Sequence, residues 1–338
     1  MTTHAETTDE HAGYHVFPKD ATFTASDGTP LAYTERGTER GTERGPERGA
    51  APGVEGSGLT FVTVNGWSCS DVYWARLVPH LAEQGHRVVI MDTRGHGASG
   101  LPRPPGYRAR NISADDMSLE RVSRDFVELC DAAGIERAVF VGHSMGVQVI
   151  YEIYRRAPER FAGIVAVAGP YENPLKTFYG RSEAHMLFPV GHFALQAIPR
   201  FLLPAWRMLG KQYKLGYRAA LLVRAAGPRL AEKALAPYIE HFVSRDPLVM
   251  FKFIESMRAS SAADVLPTVD VPVLILAGDR DPFTPLSVQR RMHELVPGSE
   301  LTVYEGGHHT LPLEFADEIN AALDDFLTRR FSPPASPA

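Results

Sequence analysis

The chain has 338 residues, 44% of them hydrophobic and 22% charged, and its net charge is −5 at pH 7. Such a composition is typical of a globular protein with enough apolar material for a large core. The acidic balance, without a basic stripe, argues against a nucleic-acid partner. The two cysteines, Cys69 and Cys130, are too few for a disulfide framework or a metal site.

Residues 1–19 are polar and acidic, which predicts a flexible arm and argues against a signal peptide. The most apolar region, residues 185–209, is interrupted by three prolines and two arginines, so we expect no membrane span. Both observations favour a cytoplasmic protein.

Two short strands are predicted on either side of an Asp27-Gly28 turn. Residues 34–49 then read TERGTERGTERGPERG, a four-residue unit in four tandem copies. Glycine at every fourth position and alternating charges cannot form a packed face, so this segment predicts a disordered loop.

Short apolar runs then alternate with amphipathic helical segments along most of the remaining chain. This alternation predicts an α/β fold, with a mostly parallel twisted sheet and helices on both faces. We assign residues 20–169 and 266–330 to this core. Residues 170–265 lack a clear buried strand and predict a helical cap, and residues 331–338 predict a disordered tail.

Ser144 lies in the sequence Gly142-His143-Ser144-Met145-Gly146, between a predicted strand and a predicted helix. A sharp turn at that junction would lift the serine hydroxyl above the sheet edge, and the two glycines would let neighbouring backbone pass close by. In this context the G-x-S-x-G pattern indicates a nucleophile.

Three further segments share the pattern of one family: MDTRGHGAS at 91–99, AGDRDPFTP at 277–285 and EGGHHTLPLE at 305–314. With the serine motif, they make the chain resemble the α/β-hydrolase superfamily, in its cap-bearing serine hydrolase branch. The resemblance implies the α/β-hydrolase fold and a Ser–Asp–His triad in that chain order.

The resemblance places the histidine of the triad at His308, directly after Gly306 and Gly307. His309 is its neighbour and rival. Adjacent loop residues point in different directions, so only one of the two is expected to reach Ser144. We predict His308 as the general base that activates the serine.

A carboxylate must fix the tautomer of that histidine and stabilise its charged form. The family spacing selects Asp281. Asp279 is the near alternative, with a turn-forming role as its plainer interpretation. Glu172 is a more remote candidate, because some relatives carry the acid after an earlier strand.

The resemblance also implies an oxyanion hole made of two backbone N–H groups, those of Met145 and Trp67. The family usually has histidine where this chain has Asn65, a change that leaves the backbone donor in place. His96 is interpreted as structural.

These residues predict a serine hydrolase that cleaves a carboxylic ester through an acyl-enzyme on Ser144. No metal or organic cofactor is implied, and the apolar cap favours a small-molecule substrate with a hydrophobic portion. The same triad could serve a lactonase, a C–C bond hydrolase or a cofactor-free perhydrolase. A hydrolase-fold receptor is the alternative from another class.

Overall fold

A computed structural model describes residues 17–37, 58–102, 112–180 and 212–331. Within these ranges, eight strands form one sheet. The strands are β1 (Ala21–Thr24), β2 (Pro30–Arg36), β3 (Thr60–Val64), β4 (Arg87–Met91), β5 (Ala138–His143), β6 (Phe161–Val167), β7 (Val273–Gly278) and β8 (Glu300–Tyr304).

The strand order is β1-β2-β4-β3-β5-β6-β7-β8. The β1–β2 and β2–β4 pairs are antiparallel, and every other pair is parallel. Strands β5 and β7 are buried along their whole length, because helices cover both faces. This sheet confirms the predicted fold class.

The helices alternate with the strands as predicted. They are α1 (Leu77–Glu83), α2 (Leu119–Ala132), α3 (Met145–Arg156), α4 (Tyr213–Leu222), α5 (Ala236–Ser244), α6 (Pro247–Ala259), α7 (Leu286–Leu295), α8 (Leu311–Glu314) and α9 (Ala316–Phe331). Their apolar sides form two buried clusters. Phe126 of α2 and Tyr151 of α3 belong to one, and Leu81 of α1 and Phe326 of α9 belong to the other.

Three predicted boundaries differ from the structure, two of them near the N-terminus. Residues 17–19, predicted as the end of a flexible arm, are docked: Phe17 is buried, and the Lys19 ammonium pairs with Asp71 and lies 3.3 Å from Asp92. Residues 34–36, predicted as the start of the disordered loop, belong to β2 and pair with β4. The hydrogen bonds between strands are made by the main chain and do not depend on the side chains. The repeat pattern of the side chains therefore does not show where this strand ends.

Residues 38–49 of the repeat segment lie outside the described residues, as do residues 1–16 and 332–338. At the other end of the chain, Phe331 belongs to α9 rather than to a disordered tail, and its ring packs against Phe326 at 6.1 Å.

Helices α4, α5 and α6 lie between β6 and β7, in the segment predicted as a helical cap. Residues 181–211 of that segment lie outside the described residues. Tyr238 of α5 and Met257 of α6 face the same cavity as Ser144 at the end of β5. The described part of the insertion therefore lies over the carboxyl edge of the sheet, and the cap boundaries remain a prediction.

The loop after β4 is held by buried charges. The Arg94 guanidinium donates to both carboxylate oxygens of Asp125, at 2.6 and 2.7 Å, and to Asp27 at 2.9 Å. Asp92 accepts from the Ala98 amide at 2.7 Å. These bonds fix the path of residues 92–99 beside the sheet edge.

Candidate active site

Ser144 lies between the end of β5 and the start of α3, in a strained backbone conformation with φ 55° and ψ −122°. Such a conformation costs a non-glycine residue about 1–3 kcal/mol and is typical of functional turns. The flanking glycines are required sterically. A Cβ on Gly146 would lie 2.1 Å from the Val64 carbonyl oxygen, and one on Gly142 would lie 2.6 Å from Ile150.

A hydrogen-bond chain runs from the serine to a buried carboxylate. The Ser144 hydroxyl lies 2.9 Å from Nε2 of His309, and Nδ1 of His309 lies 2.8 Å from Asp281. These partners place the histidine proton on Nδ1 and leave Nε2 as the acceptor for the serine hydroxyl. The three groups therefore have the arrangement in which a histidine can deprotonate a serine.

Asp281 is held as a carboxylate by its surroundings. Its oxygens accept from the Phe283 and Thr284 amides, at 2.7 and 3.1 Å, and from the Thr284 hydroxyl at 2.7 Å. Burial raises the pKa of Asp281, but His309 and the Thr284 donors outweigh it, and the pKa lies below the ordinary value. A group with this pKa stays ionised at neutral pH.

The prediction that His308 contacts Ser144 is wrong in this structure. Nδ1 of His308 instead lies 3.4 Å from Glu314, beside Gly227 of the cap segment. The two adjacent side chains point to different sides of the loop, and the Gly-Gly-His spacing does not reveal which side faces the serine. The carbonyl of His309 accepts from Nε2 of His143 at 2.8 Å, which helps to fix that choice.

The two alternative carboxylates lie elsewhere. Asp279 accepts from the Gly306 amide at 2.7 Å, and so ties two loops together as a turn former. Glu172 takes part through its backbone carbonyl, which accepts from Gln148 at 3.3 Å. Of the three carboxylates considered, Asp281 is the one bonded to the histidine that contacts Ser144.

Met145 and Trp67 stay the predicted oxyanion donors. Met145 is the first residue of α3, where backbone N–H groups have no partner within the helix. Trp67 lies in the loop after β3 and lines the same cavity as Ser144. Its indole N–H donates to the Met250 carbonyl of α6 at 2.8 Å, so its side chain is held by the cap.

Asn65, the departure from the family histidine, has its own buried partners. Its amide donates to Asp71 at 3.1 Å, and its carbonyl accepts from the Trp74 indole at 2.5 Å. Lys19 pairs with the same Asp71. An asparagine therefore anchors the start of the loop that leads to Trp67.

With this geometry in place, the chain can be compared with known proteins. Residues 60–316 match the family model for the alpha/beta hydrolase fold. The chain belongs to this family. Epoxide hydrolase A of Mycobacterium tuberculosis is 28% identical over 287 residues, which cover 75% of this chain and 86% of that protein.

Solved structures of other hydrolases share the fold. A bromoperoxidase from Bacillus anthracis superposes with a TM-score of 0.66 at 20% identity, over 91% of this chain and 100% of its own. An esterase from Exiguobacterium antarcticum has a TM-score of 0.66 at 17% identity, over 91% and 98% of the two chains. At these identities the likeness shows the fold alone.

The hydrolase has a cavity of about 230 Å³ above Ser144. Its described lining is mostly aromatic and aliphatic: Trp67, Cys69, Tyr73, Ser144, Pro170, Pro174, Leu175, Phe178, Tyr238, Ile254, Met257, Phe283, Thr284 and His309. Phe178 and Phe283 stack at 4.8 Å, and Phe283 meets the His309 ring edge-on at 4.9 Å. An apolar wall therefore lies beside the histidine.

His143 was not singled out from the sequence beyond its place in the serine motif. Its ring stacks on Tyr73 at 4.4 Å, and burial lowers its pKa to about 3, so it is neutral and can donate from Nε2 alone. The only sequence signal is its position next to Ser144. Its partner, the His309 carbonyl, lies in a loop far along the chain.

Two structural observations concern other kinds of site. Within the described ranges, no three His, Cys, Asp or Glu side chains lie close enough together to hold a metal ion. No helix in the described part of the hydrolase has the length and apolar character needed to cross a membrane.

Proposed function

We propose that this hydrolase cleaves carboxylic esters through an acyl-enzyme on Ser144, with His309 as general base and Asp281 as its carboxylate partner. The observation that carries the proposal is the unbroken hydrogen-bond chain Ser144–His309–Asp281 on the floor of an apolar cavity. Each of its bonds has the length expected of a functional hydrogen bond.

In the first half of the reaction, the Ser144 oxygen attacks the ester carbonyl while Nε2 of His309 takes its proton. The Trp67 and Met145 N–H groups then stabilise the oxyanion, and protonated His309 donates to the leaving alkoxide. In the second half, His309 deprotonates a water molecule that attacks the acyl carbonyl. The acyl–Ser144 bond then breaks, His309 returns the proton to the serine oxygen, and the acid leaves. Asp281 stabilises the imidazolium in both halves.

The cavity favours a neutral substrate with an apolar acyl or alcohol part. The described lining holds no lysine, arginine, aspartate or glutamate side chain that could pair with a charged group. Burying an unpaired charge costs several kcal/mol, whereas apolar surface gains about 25 cal/mol per Å² buried.

Serine chemistry favours acyl substrates over epoxides, although a relative carries the name epoxide hydrolase. A serine that opened an epoxide would form an alkyl ether, which has no carbonyl for water to attack. A carboxylate nucleophile would form a hydrolysable ester instead. Ser144 occupies the proposed nucleophile position in this chain, so an acyl substrate such as an ester or a lactone completes the catalytic cycle.

The test uses p-nitrophenyl butyrate for turnover and a fluorophosphonate for covalent labelling. Wild type should turn over the ester and take up one label on Ser144, and S144A should lose nearly all activity and the label. Ser261→Ala changes an exposed serine outside the site and is the matched control. Label on another serine, or activity in S144A, contradicts the proposal, and binding of the ester without turnover would indicate a receptor.

A further inference from the structure

The loop that carries Trp67 contains a turn that is normally made by glycine. The Cys69 amide donates to the Gly66 carbonyl at 3.2 Å, which closes a four-residue turn. Ser68 is the third residue of this turn and has φ 54°. A positive φ at that position belongs to the type II turn, where glycine is favoured because a side chain is strained.

His96 holds this strained residue. The Ser68 amide donates to Nε2 of His96 at 3.1 Å, and both residues are buried. Nδ1 of His96 lies 3.1 Å from the Arg94 carbonyl, so the ring proton is on Nδ1 and Nε2 is free to accept. Burial lowers the pKa of His96 to about 4, which keeps the acceptor available at neutral pH.

The loop and His96 contact the same two cap helices. The His96 ring stacks on His241 of α5 at 5.8 Å and meets Phe253 of α6 edge-on at 5.3 Å. Trp67 contacts Phe242 of α5 at 5.8 Å, besides its bond to α6. The His96 imidazole is therefore packed between the cap helices and its own loop, which the buried Arg94 fixes.

If the peptide between Trp67 and Ser68 turned over, Ser68 could reach an unstrained negative φ. Its N–H would then point away from His96, and the Trp67 carbonyl would take its place. The Trp67 N–H belongs to the preceding peptide and does not turn with this one. Without the bond to His96, however, the turn that carries this N–H is no longer fixed to residues 92–99 and can shift. The bond to Nε2 of His96 opposes this rotation.

We propose that His96 is a positioning residue for ester hydrolysis, which keeps the Trp67 N–H aimed at the oxyanion by tying the turn at Ser68 to the loop that carries His96. The inference rests on the proposed function of Ser144. It assigns His96 an effect on the transition state, whereas a residue that only supports the fold would affect stability alone.

The test compares H96F with H96Q on p-nitrophenyl butyrate. Phenylalanine keeps a ring but loses the acceptor, whereas the glutamine carbonyl can reach the Ser68 N–H. Removing an oxyanion donor costs about 10²–10³ in kcat, so a displaced donor should cost H96F about 10- to 100-fold, with KM within about 2-fold. H96Q should recover most of the loss, and phenylboronic acid should bind H96F more weakly by a similar factor.

A double variant and a control separate positioning from folding. Glycine adopts a positive φ without strain, so H96F/S68G should regain much of the kcat that H96F loses. His86 also accepts a backbone N–H, that of Leu59 at 3.0 Å, but far from the site. H86F should therefore lower the melting temperature and leave kcat unchanged.

Three results would overturn the inference: a folded H96F with wild-type kcat, a loss of kcat that neither H96Q nor S68G relieves, or an equal loss of kcat in H86F. If H96F does not fold, H96N takes its place, because its shorter amide can reach the Arg94 carbonyl but not the Ser68 N–H. If wild type itself turns over no ester at Ser144, the proposed function has failed, which is a separate result.

Discussion

Two adjacent histidines on the loop after β8, His308 and His309, each lie beside a carboxylate. His309 and Asp281 are 2.8 Å apart, and the other nitrogen of His309 meets the Ser144 hydroxyl. His308 and Glu314 are 3.4 Å apart, and neither His308 Nδ1 nor Glu314 Oε2 has a hydrogen-bond partner among the described residues. Residues of the same chemical type therefore occupy two quite different environments.

The difference lies in what surrounds each pair. Asp281 accepts three donors besides His309, so its carboxylate cannot rotate away from the imidazole. Glu314 is bonded to the Thr310 hydroxyl at 2.6 Å and packs against Gly227 of the cap segment. The first pair is hydrogen-bonded to the Ser144 hydroxyl, whereas the second packs the histidine loop against Gly227 of the cap segment.

The largest difference in kcat is expected between variants of the two histidines. H309Q removes the base of the proposed triad and should lower kcat on the order of 10⁴- to 10⁶-fold, as in other serine hydrolases. H308Q should stay within about 10-fold, because its side chain does not reach Ser144. The measurement is kcat on one ester, with circular dichroism to confirm folding. A dead H308Q and an active H309Q would reverse the assignment.

The next largest difference in kcat is expected between variants of the carboxylates. D281N permits the wrong tautomer of His309, a change that costs on the order of 10⁴ in kcat in a serine protease. E314Q should instead lower the melting temperature, with kcat within about 10-fold, because it loosens a buried contact outside the triad. D279N should also be mild, since an amide can replace part of its turn bonding. If all three variants stay active, the acid has been misassigned.

The smallest expected effect concerns stability at low pH. The folded state lowers the pKa of Asp281, so this carboxylate stabilises the fold above its unfolded pKa of about 4. That contribution is lost as the pH falls through the lower folded pKa. Urea unfolding from pH 5 to pH 2.5 should show wild type losing stability more steeply than D281N. Parallel curves would show that the pKa of Asp281 is not lowered by folding.

The sequence by itself determined the sheet, its carboxyl edge and the strained turn at Ser144. Buried parallel strands read as apolar runs, and the strained turn at Ser144 requires glycines whose spacing is visible in the chain. The family resemblance also pointed to Asp281, and its carboxylate contacts His309 rather than the expected His308. These features depend on residues close together in the sequence.

Only the tertiary structure decided between His308 and His309, and showed the buried hydrogen bonds that Asn65, His96 and His143 make. Which of two adjacent loop side chains faces the serine depends on the backbone path of the loop, which is set by distant partners such as the His143 ring. The docking of Lys19 beneath the loop after β3 has the same origin, since its partners lie in two other segments. Contacts of this kind form between segments that are distant in the sequence, so the spacing of residues within one motif cannot predict them.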